Sequence, residues 1–111
     1  MLHGKNYIGN NLSSEGKVIF KTFNPKLNKN NDCNFSEATA NEINKAANLA
    51  YDAFLEFKNI DSLKRSKFLD SIADQILLIQ NDIVRVHCEE TGLPDGRAKG
   101  ELGRTIGQIR S

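Results

Sequence analysis

A mostly α-helical chain with an N-terminal β-hairpin is the fold class that the sequence predicts. Three observations carry it. The first third alternates short apolar runs with Gly, Asn and Ser. Everything after residue 38 spaces its apolar residues by three and four. Caps, a glycine and a proline then divide that stretch into about four helices. At 111 residues the chain fits one small domain. Its parts are a hairpin with an Asn-rich loop over 1–35 and a helical region over 36–111.

"NYIG" and "KVIFKTF" read as two strands joined by the connector "NNLSSEG". Val18, Phe20 and Thr22 face one way, and Ile19, Lys21 and Phe23 the other. Both faces carry apolar residues, so this strand is expected to pack on something. Asn24-Pro25 ends it, because proline lacks the donor a ladder needs. Five asparagines follow one another closely (Asn24, Asn28, Asn30, Asn31, Asn34) and predict a loop that caps its own backbone.

Thr39 and Glu42 have capping-box spacing and open a first helix over about 40–58. Ile43, Ala46, Ala47, Ala50, Phe54 and Phe57 form its expected buried stripe. "KNIDS" breaks it, with Asp61 or Ser62 as the next cap. A second helix, about 62–80, is expected to bury Phe68, Leu69, Ile72, Ala73, Ile76 and Ile79. Asn81 or Asp82 is the predicted cap of a short third helix with Ile83, Val84, Val86 and Cys88 inside. Gly92 fits its C-terminal left-handed position, and Pro94 suits the first turn of a fourth helix.

The fourth helix contains four glycines. On a wheel of about 100° per residue, Gly96, Gly100, Gly103 and Gly107 make one stripe about 60° wide. Leu102, Ile106 and Ile109 form an adjoining apolar face. Arg97, Glu101, Arg104 and Gln108 form a polar one with pairs at helical spacing. A phosphate loop would put its glycines in a turn between strand and helix. This segment reads instead as a helix whose bare side lets another element come close.

Composition and motifs exclude more than they assign. The net charge is +1, with acids and bases interleaved, which provides no field for nucleic acid or a membrane. No apolar run reaches the length of a membrane span, and the first ten residues lack the apolar core of a signal peptide. Free thiols in a cytoplasmic protein are therefore expected for Cys33 and Cys88. No Cys and His have zinc spacing. His87 and Cys88 adjoin on a helix and so point about 100° apart, which does not make a nucleophile and its base. Glu89-Glu90 reads as a charged helix end. Arg97–Glu101–Arg104 reads as exposed ion pairs or as an anion contact. No catalytic, cofactor-binding or metal-binding set is identified in these residues.

The order of elements resembles the opening of the aldehyde dehydrogenase superfamily. "NYIGNN" followed by "VIFKTFNP" resembles its first strands, which end in Asn-Pro. "SEATANEINKAANLAYDAFLEF" is similar to its first helix. "SLKRSKFLDSIADQILLIQNDIVRVHCEETGLP" resembles the next helix pair, with Arg65, Leu69, Ile72, Ala73, Glu90-Thr91-Gly92 and Pro94 in the matching places. "GRAKGELGRTIGQIR" is most similar to the branch holding 2,5-dioxovalerate (α-ketoglutaric semialdehyde) dehydrogenases and NADP-dependent fatty aldehyde dehydrogenases. The chain departs from the family after Asn-Pro, where Lys26-Leu27-Asn28 and the Asn-rich insertion replace the usual Thr-Gly-Glu.

The resemblance implies an α/β parent fold with a Rossmann-type cofactor domain, of which this is an N-terminal portion. It implies NADP or NAD as cofactor and oxidation of an aldehyde to its carboxylate. In such enzymes a hydride leaves a thiohemiacetal on a cysteine, and a glutamate activates water for the thioester. Those groups match no residue here, and neither Cys33 nor Cys88 fits the nucleophile. The portion present is expected to be inactive alone, to bind no cofactor, and to require the rest of the dehydrogenase chain as partner, in a homo-oligomer when complete. The family aligns residues 95–110 with a helix bordering the substrate entrance, which puts Gly100 and Arg104 on the entrance turns. The other reading, from another class, is a free-standing helical protein-interaction module that docks a partner helix. Two features favour the family portion. The apolar faces exceed what so short a chain can cover, and the last apolar residue, Ile109, is followed only by Arg110 and Ser111, with no cap or proline expected.

Overall fold

The computed structural model describes residues 2–111. Six short strands precede four helices. The described residues form two compact units, Met1–Thr22 with Asp32–Ile60, and Phe23–Asn31 with Asp61–Ser111. No helix among them is long and apolar enough to cross a membrane.

In the first unit, β1 (Asn6–Ile8) pairs antiparallel with β2 (Asn11–Ser13), Ile8 opposite Asn11. The turn between them is Gly9-Asn10, with Gly9 at φ 60°. Tight hairpins demand that left-handed conformation, and glycine adopts it without a Cβ clash. The hairpin therefore closes earlier than its sequence suggests. Its second strand lies inside the predicted connector "NNLSSEG", and "KVIFKTF" is not its partner. That segment divides instead. β3 (Ile19–Phe20) pairs with β6 (Phe35–Ser36), where the Phe20 and Phe35 rings stack 5.5 Å apart.

α1 (Ala40–Phe57) begins with the expected capping box, Glu42 N–H donating to Thr39 Oγ1 and Thr39 N–H to Glu42 Oε1. Its apolar stripe is not buried. Ile43 is 58% exposed and Phe54 53% exposed, Ala47, Ala50 and Phe57 are exposed as well, and only Ala46 is half-covered. The helix forms as the spacing predicts, but no described element supplies a surface to receive that stripe.

The second unit opens with β4 (Phe23–Asn24) and β5 (Lys29–Asn30), an antiparallel pair. Asn24 is buried, and its Oδ1 accepts from Lys26 N–H and Leu27 N–H. The Asn-rich loop thus caps its own backbone as predicted. Asn31 Nδ2 donates to the carbonyl of Glu89, tying the loop to a helix end.

α2 (Ser62–Leu78) is capped by Asp61, whose carboxylate accepts from Lys64 N–H at 2.8 Å. α3 (Gln80–Thr91) starts one or two residues before the predicted caps. Ile79 is its N-cap, with no side-chain bond, because α2 and α3 abut at that residue. Gly92 ends α3 at φ 72°, and a Cβ there would lie 3.0 Å from the Pro25 ring. α4 (Asp95–Arg110) follows with Pro94 as its N-cap, one position ahead of the expected first turn. Against the uncapped end expected, Ser111 is its C-cap, donating from N–H to the Gly107 carbonyl and from Oγ to the Gln108 carbonyl, because a serine hydroxyl can reach the open carbonyls of a last turn. Ala73, Val84, Ala98 and Ile106 are the buried apolar residues of this unit, where α4 packs on α2 and α3. Phe68, Leu69 and Ile79, expected inside, are exposed.

The glycine stripe of α4 is open. A Cβ added at Gly96, Gly100, Gly103 or Gly107 meets nothing within 4 Å. Helical glycine costs about 1 kcal/mol relative to alanine. Gly103→Ala and Gly107→Ala in the full chain are therefore each expected to stabilise α4 by about 1 kcal/mol, read from denaturant unfolding followed by circular dichroism. A loss of stability would show that the face is already occupied.

Candidate functional site

The residues to place are Gly100 and Arg104, with the charged and thiol groups near them in sequence. Both lie on α4, one turn apart and both exposed. Arg104 is 77% exposed, and its Nη2 and Nε reach Glu101 Oε2 at 3.2 and 3.3 Å. The other oxygen of Glu101 faces Arg97 Nε at 3.6 Å. One carboxylate is thus shared by two guanidinium groups, which leaves one positive charge in excess on this strip of helix. Exposed pairs of this kind contribute about 0–1 kcal/mol each, so Arg104 can turn from Glu101 to a stronger anion at little cost. Elsewhere on α4, Asp95 holds Lys99 at 2.7 Å and raises its ammonium above the ordinary value, first through the hydrogen bond and then through charge. Arg110 Nη2 ties α4 to α2 through Asp74 at 2.8 Å.

Glu89, in the charged end of α3, belongs to an ion-pair ladder. Glu89 Oε1 receives Arg85 Nη1 at 3.1 Å, and Asp82 lies 3.5 Å from the same guanidinium. The Glu89 hydrogen bond, then its charge, raises Arg85 above its ordinary range. This is a structural ladder at helical spacing.

His87 and Cys88 separate as expected. Cys88 lines a groove of about 530 Å³ with Val84, Lys26 and Lys99. His87 lines a different groove of about 560 Å³ with Ile76, Ile83 and Leu102. The two residues thus line different spaces. Both cysteines are free. Among the described residues, no three His, Cys, Asp or Glu side chains gather as metal ligands.

A dinucleotide does not fit the glycines of α4. Gly100, Gly103 and Gly107 lie inside the helix, and Gly96, in its first turn, follows another helix and not a strand.

Glu42 has more partners than its capping-box spacing implies. Its Oε2 also accepts from Ser13 Oγ and from Glu15 N–H, joining the end of β2 to the start of α1. Ser13 is 29 residues away, and no local pattern marks that bond. The Ser13 hydrogen bond, then the Thr39 backbone N–H, holds this carboxyl below its ordinary value of 4.5, against the opposing effect of burial. A depressed carboxylate contributes stability that is fully present above the unfolded value and is lost as pH falls through the folded one. The first unit is thus expected to lose stability as pH drops below about 4.5. Glu42→Gln should flatten that acid dependence in circular-dichroism melts, whereas an unchanged acid limb would assign it to other groups.

Against known proteins, the model of the aldehyde dehydrogenase family matches residues 12–111. The chain is 45% identical over 76 residues to alpha-ketoglutaric semialdehyde dehydrogenase of Acinetobacter baylyi, covering 68% of this chain and 14% of that protein. It is 33% identical over 110 residues to alpha-ketoglutaric semialdehyde dehydrogenase 2 of Azospirillum brasilense, covering 98% of this chain and 21% of that one. It is 26% identical over 109 residues to succinate-semialdehyde dehydrogenase [NADP(+)] 2 of Schizosaccharomyces pombe, covering 97% and 22%. The chain spans about a fifth or less of the length of these relatives.

Proposed function

The chain belongs to the aldehyde dehydrogenase family, and from that premise we propose that it is the N-terminal scaffold of an enzyme oxidising an aldehyde to its carboxylate with NADP or NAD. The observation that carries the reading is the match over residues 12–111, joined to two relatives named for α-ketoglutaric semialdehyde. The proposed substrate is accordingly 2,5-dioxovalerate. Residues 36–111 would form the helical beginning of the cofactor-binding domain, and residues 1–35 a strand and loop region ahead of it. The cofactor and the reacting groups would be held by the rest of the dehydrogenase, in a cytoplasmic homo-oligomer. These residues alone would be inactive.

Within this reading, Arg104 and Gly100 border the substrate entrance. The excess positive charge on the Arg97–Glu101–Arg104 strip supports that assignment, because 2,5-dioxovalerate carries a carboxylate remote from its aldehyde. Gly100, with open space where a Cβ would stand, leaves the approach to Arg104 unobstructed.

A chimera tests the function. Residues 12–111 replace the matching segment of the Azospirillum brasilense relative, and formation of reduced cofactor is followed by absorbance. Turnover of 2,5-dioxovalerate within about tenfold of the parent is expected, a tolerance of about 1.4 kcal/mol in the barrier. A folded chimera that turns over no aldehyde would sink the reading.

A further inference from the structure

We propose that Met1-Leu2-His3 is a square-planar site for Cu(II) in a chain whose free α-amine is that of Met1. The site lies apart from the aldehyde chemistry and does not depend on the family reading.

The ligand set comes from the order of residues. A tripeptide with histidine in third place offers four nitrogens: the α-amine of Met1, the backbone nitrogens of Leu2 and His3, and the imidazole Nδ1 of His3. Consecutive donors close small chelate rings, which draw the four into one plane. Neither Leu2 nor His3 is proline, so both backbone nitrogens have a proton to lose. Four nitrogens in a plane suit Cu(II), and Ni(II) after it, whereas Zn(II) favours a tetrahedron. Only one of the ligands is a side chain, so no cluster of His, Cys, Asp and Glu marks the site.

The imidazole supplies the first structural observation. Lys5 N–H donates to His3 Nδ1 at 3.0 Å. A backbone N–H can only donate, so Nδ1 presents a lone pair and the proton of the neutral ring sits on Nε2. Nε2 lies 2.9 Å from Tyr7 Oη, to which it donates. The ring is therefore already in the tautomer the site needs. Its metal-binding nitrogen faces the backbone of its own segment, and the other nitrogen is held by a partner, as in ligating histidines generally.

The backbone supplies the second. Leu2 and His3 are exposed, and neither of their backbone nitrogens donates a hydrogen bond among the described residues. The chain is fixed from the next residue onward. The Gly4 carbonyl accepts from Ser36 N–H at 2.8 Å, and a Cβ at Gly4 would lie 1.8 Å from the Asn34 carbonyl oxygen. Wrapping the tripeptide around a metal thus gives up the exposed Lys5 bond and no packing. On binding, both amide protons leave to solvent, with one from the amine where it is protonated, and nitrogen–metal bonds replace them. The other histidine does not compete, because His87 lies within α3 and its Nε2 is buried.

The test titrates Cu(II) into the 111-residue chain, purified without an N-terminal tag and with excess glycine as a competing chelator. Cys33 and Cys88 are alkylated first, since free thiols reduce Cu(II). Metal per chain is counted after desalting, and visible circular dichroism reads the geometry. One Cu(II) per chain is expected, with the d–d band of four planar nitrogens. His3→Ala should lose both. A chain with one glycine added ahead of Met1 should lose both as well, because the histidine moves to fourth place while every side chain is kept. The site is local, so these outcomes are independent of how well the helices pack.

Retention of the metal and its band by either altered chain overturns the proposal, as does a lack of retained metal in the unaltered one. Mass spectrometry of the N-terminal peptide of the natural protein is the remaining arm. Met1 first with an unmodified amine is expected, and a different first residue or a blocked amine overturns the site.

Discussion

In the chimeric dehydrogenase, Arg104→Ala is expected to raise the KM for 2,5-dioxovalerate about tenfold, while leaving that for a neutral aldehyde such as pentanal within about twofold. A guanidinium–carboxylate bond is among the stronger hydrogen bonds, but this side chain is 77% exposed, and solvent screens it. A tenfold effect corresponds to about 1.4 kcal/mol, the lower end of what such a bond contributes. The contrast between substrates is decisive, because the distal carboxylate is the feature that Arg104 would read. Arg104→Lys keeps the charge but loses the fork, so it should recover part of the loss. An equal rise for both aldehydes would assign Arg104 a structural role and remove it from the substrate entrance. Glu101→Gln gives the opposite test on the same strip. It frees Arg97 and Arg104 from their shared carboxylate, so KM for the carboxylated aldehyde should fall or stay level.

The second large effect concerns the chain by itself. Isolated, it is expected to bind a hydrophobic dye, to melt over a broad range and to self-associate as concentration rises. Its accessible surface is 8476 Å². Two separate compact units sharing its mass would expose about 7,400 Å². Ile43, Tyr51, Phe54, Leu63, Phe68 and Leu78 are among the large apolar side chains exposed, and five apolar residues are buried among the described residues. Apolar surface on this scale marks an interaction face or an aggregation liability. A sharp, concentration-independent melt from a monomer would contradict the expectation. It would also favour the reading as a free-standing interaction module.

Local structure was legible wherever a residue acts on its own neighbours. The Thr39–Glu42 box, the Asp61 cap, the left-handed Gly92 and the self-capping Asn24 each depend on contacts within a few residues. The glycine stripe of α4 was legible for the same reason, since helical period follows from spacing alone. Burial was harder to read. The stripes on α1 and α2 have the right period, yet periodicity says which residues share a face, not whether anything covers it. The hairpin was misplaced because Asn11–Ser13 has little strand propensity. It forms β2 because Gly9-Asn10 turns tightly enough to lay it against Asn6–Ile8.

The candidate site divides in the same way. Arg97, Glu101 and Arg104 could be paired from their spacing, because helix neighbours at three and four residues touch in any helix. That Ser13 hydrogen-bonds Glu42, and that His87 Nε2 is buried with no partner among the described residues, follows only from the tertiary structure. By itself, the sequence determined the helices, the caps of α1 and α2, the left-handed end of α3, the glycine stripe of α4 and the family likeness, since these depend on residue type and short-range order. The tertiary structure alone decided which apolar faces find a partner and which carboxylate is held by a distant hydroxyl. Those outcomes depend on surfaces brought together across long stretches of chain, and the free energy of burial belongs to the pair of surfaces and to neither one alone.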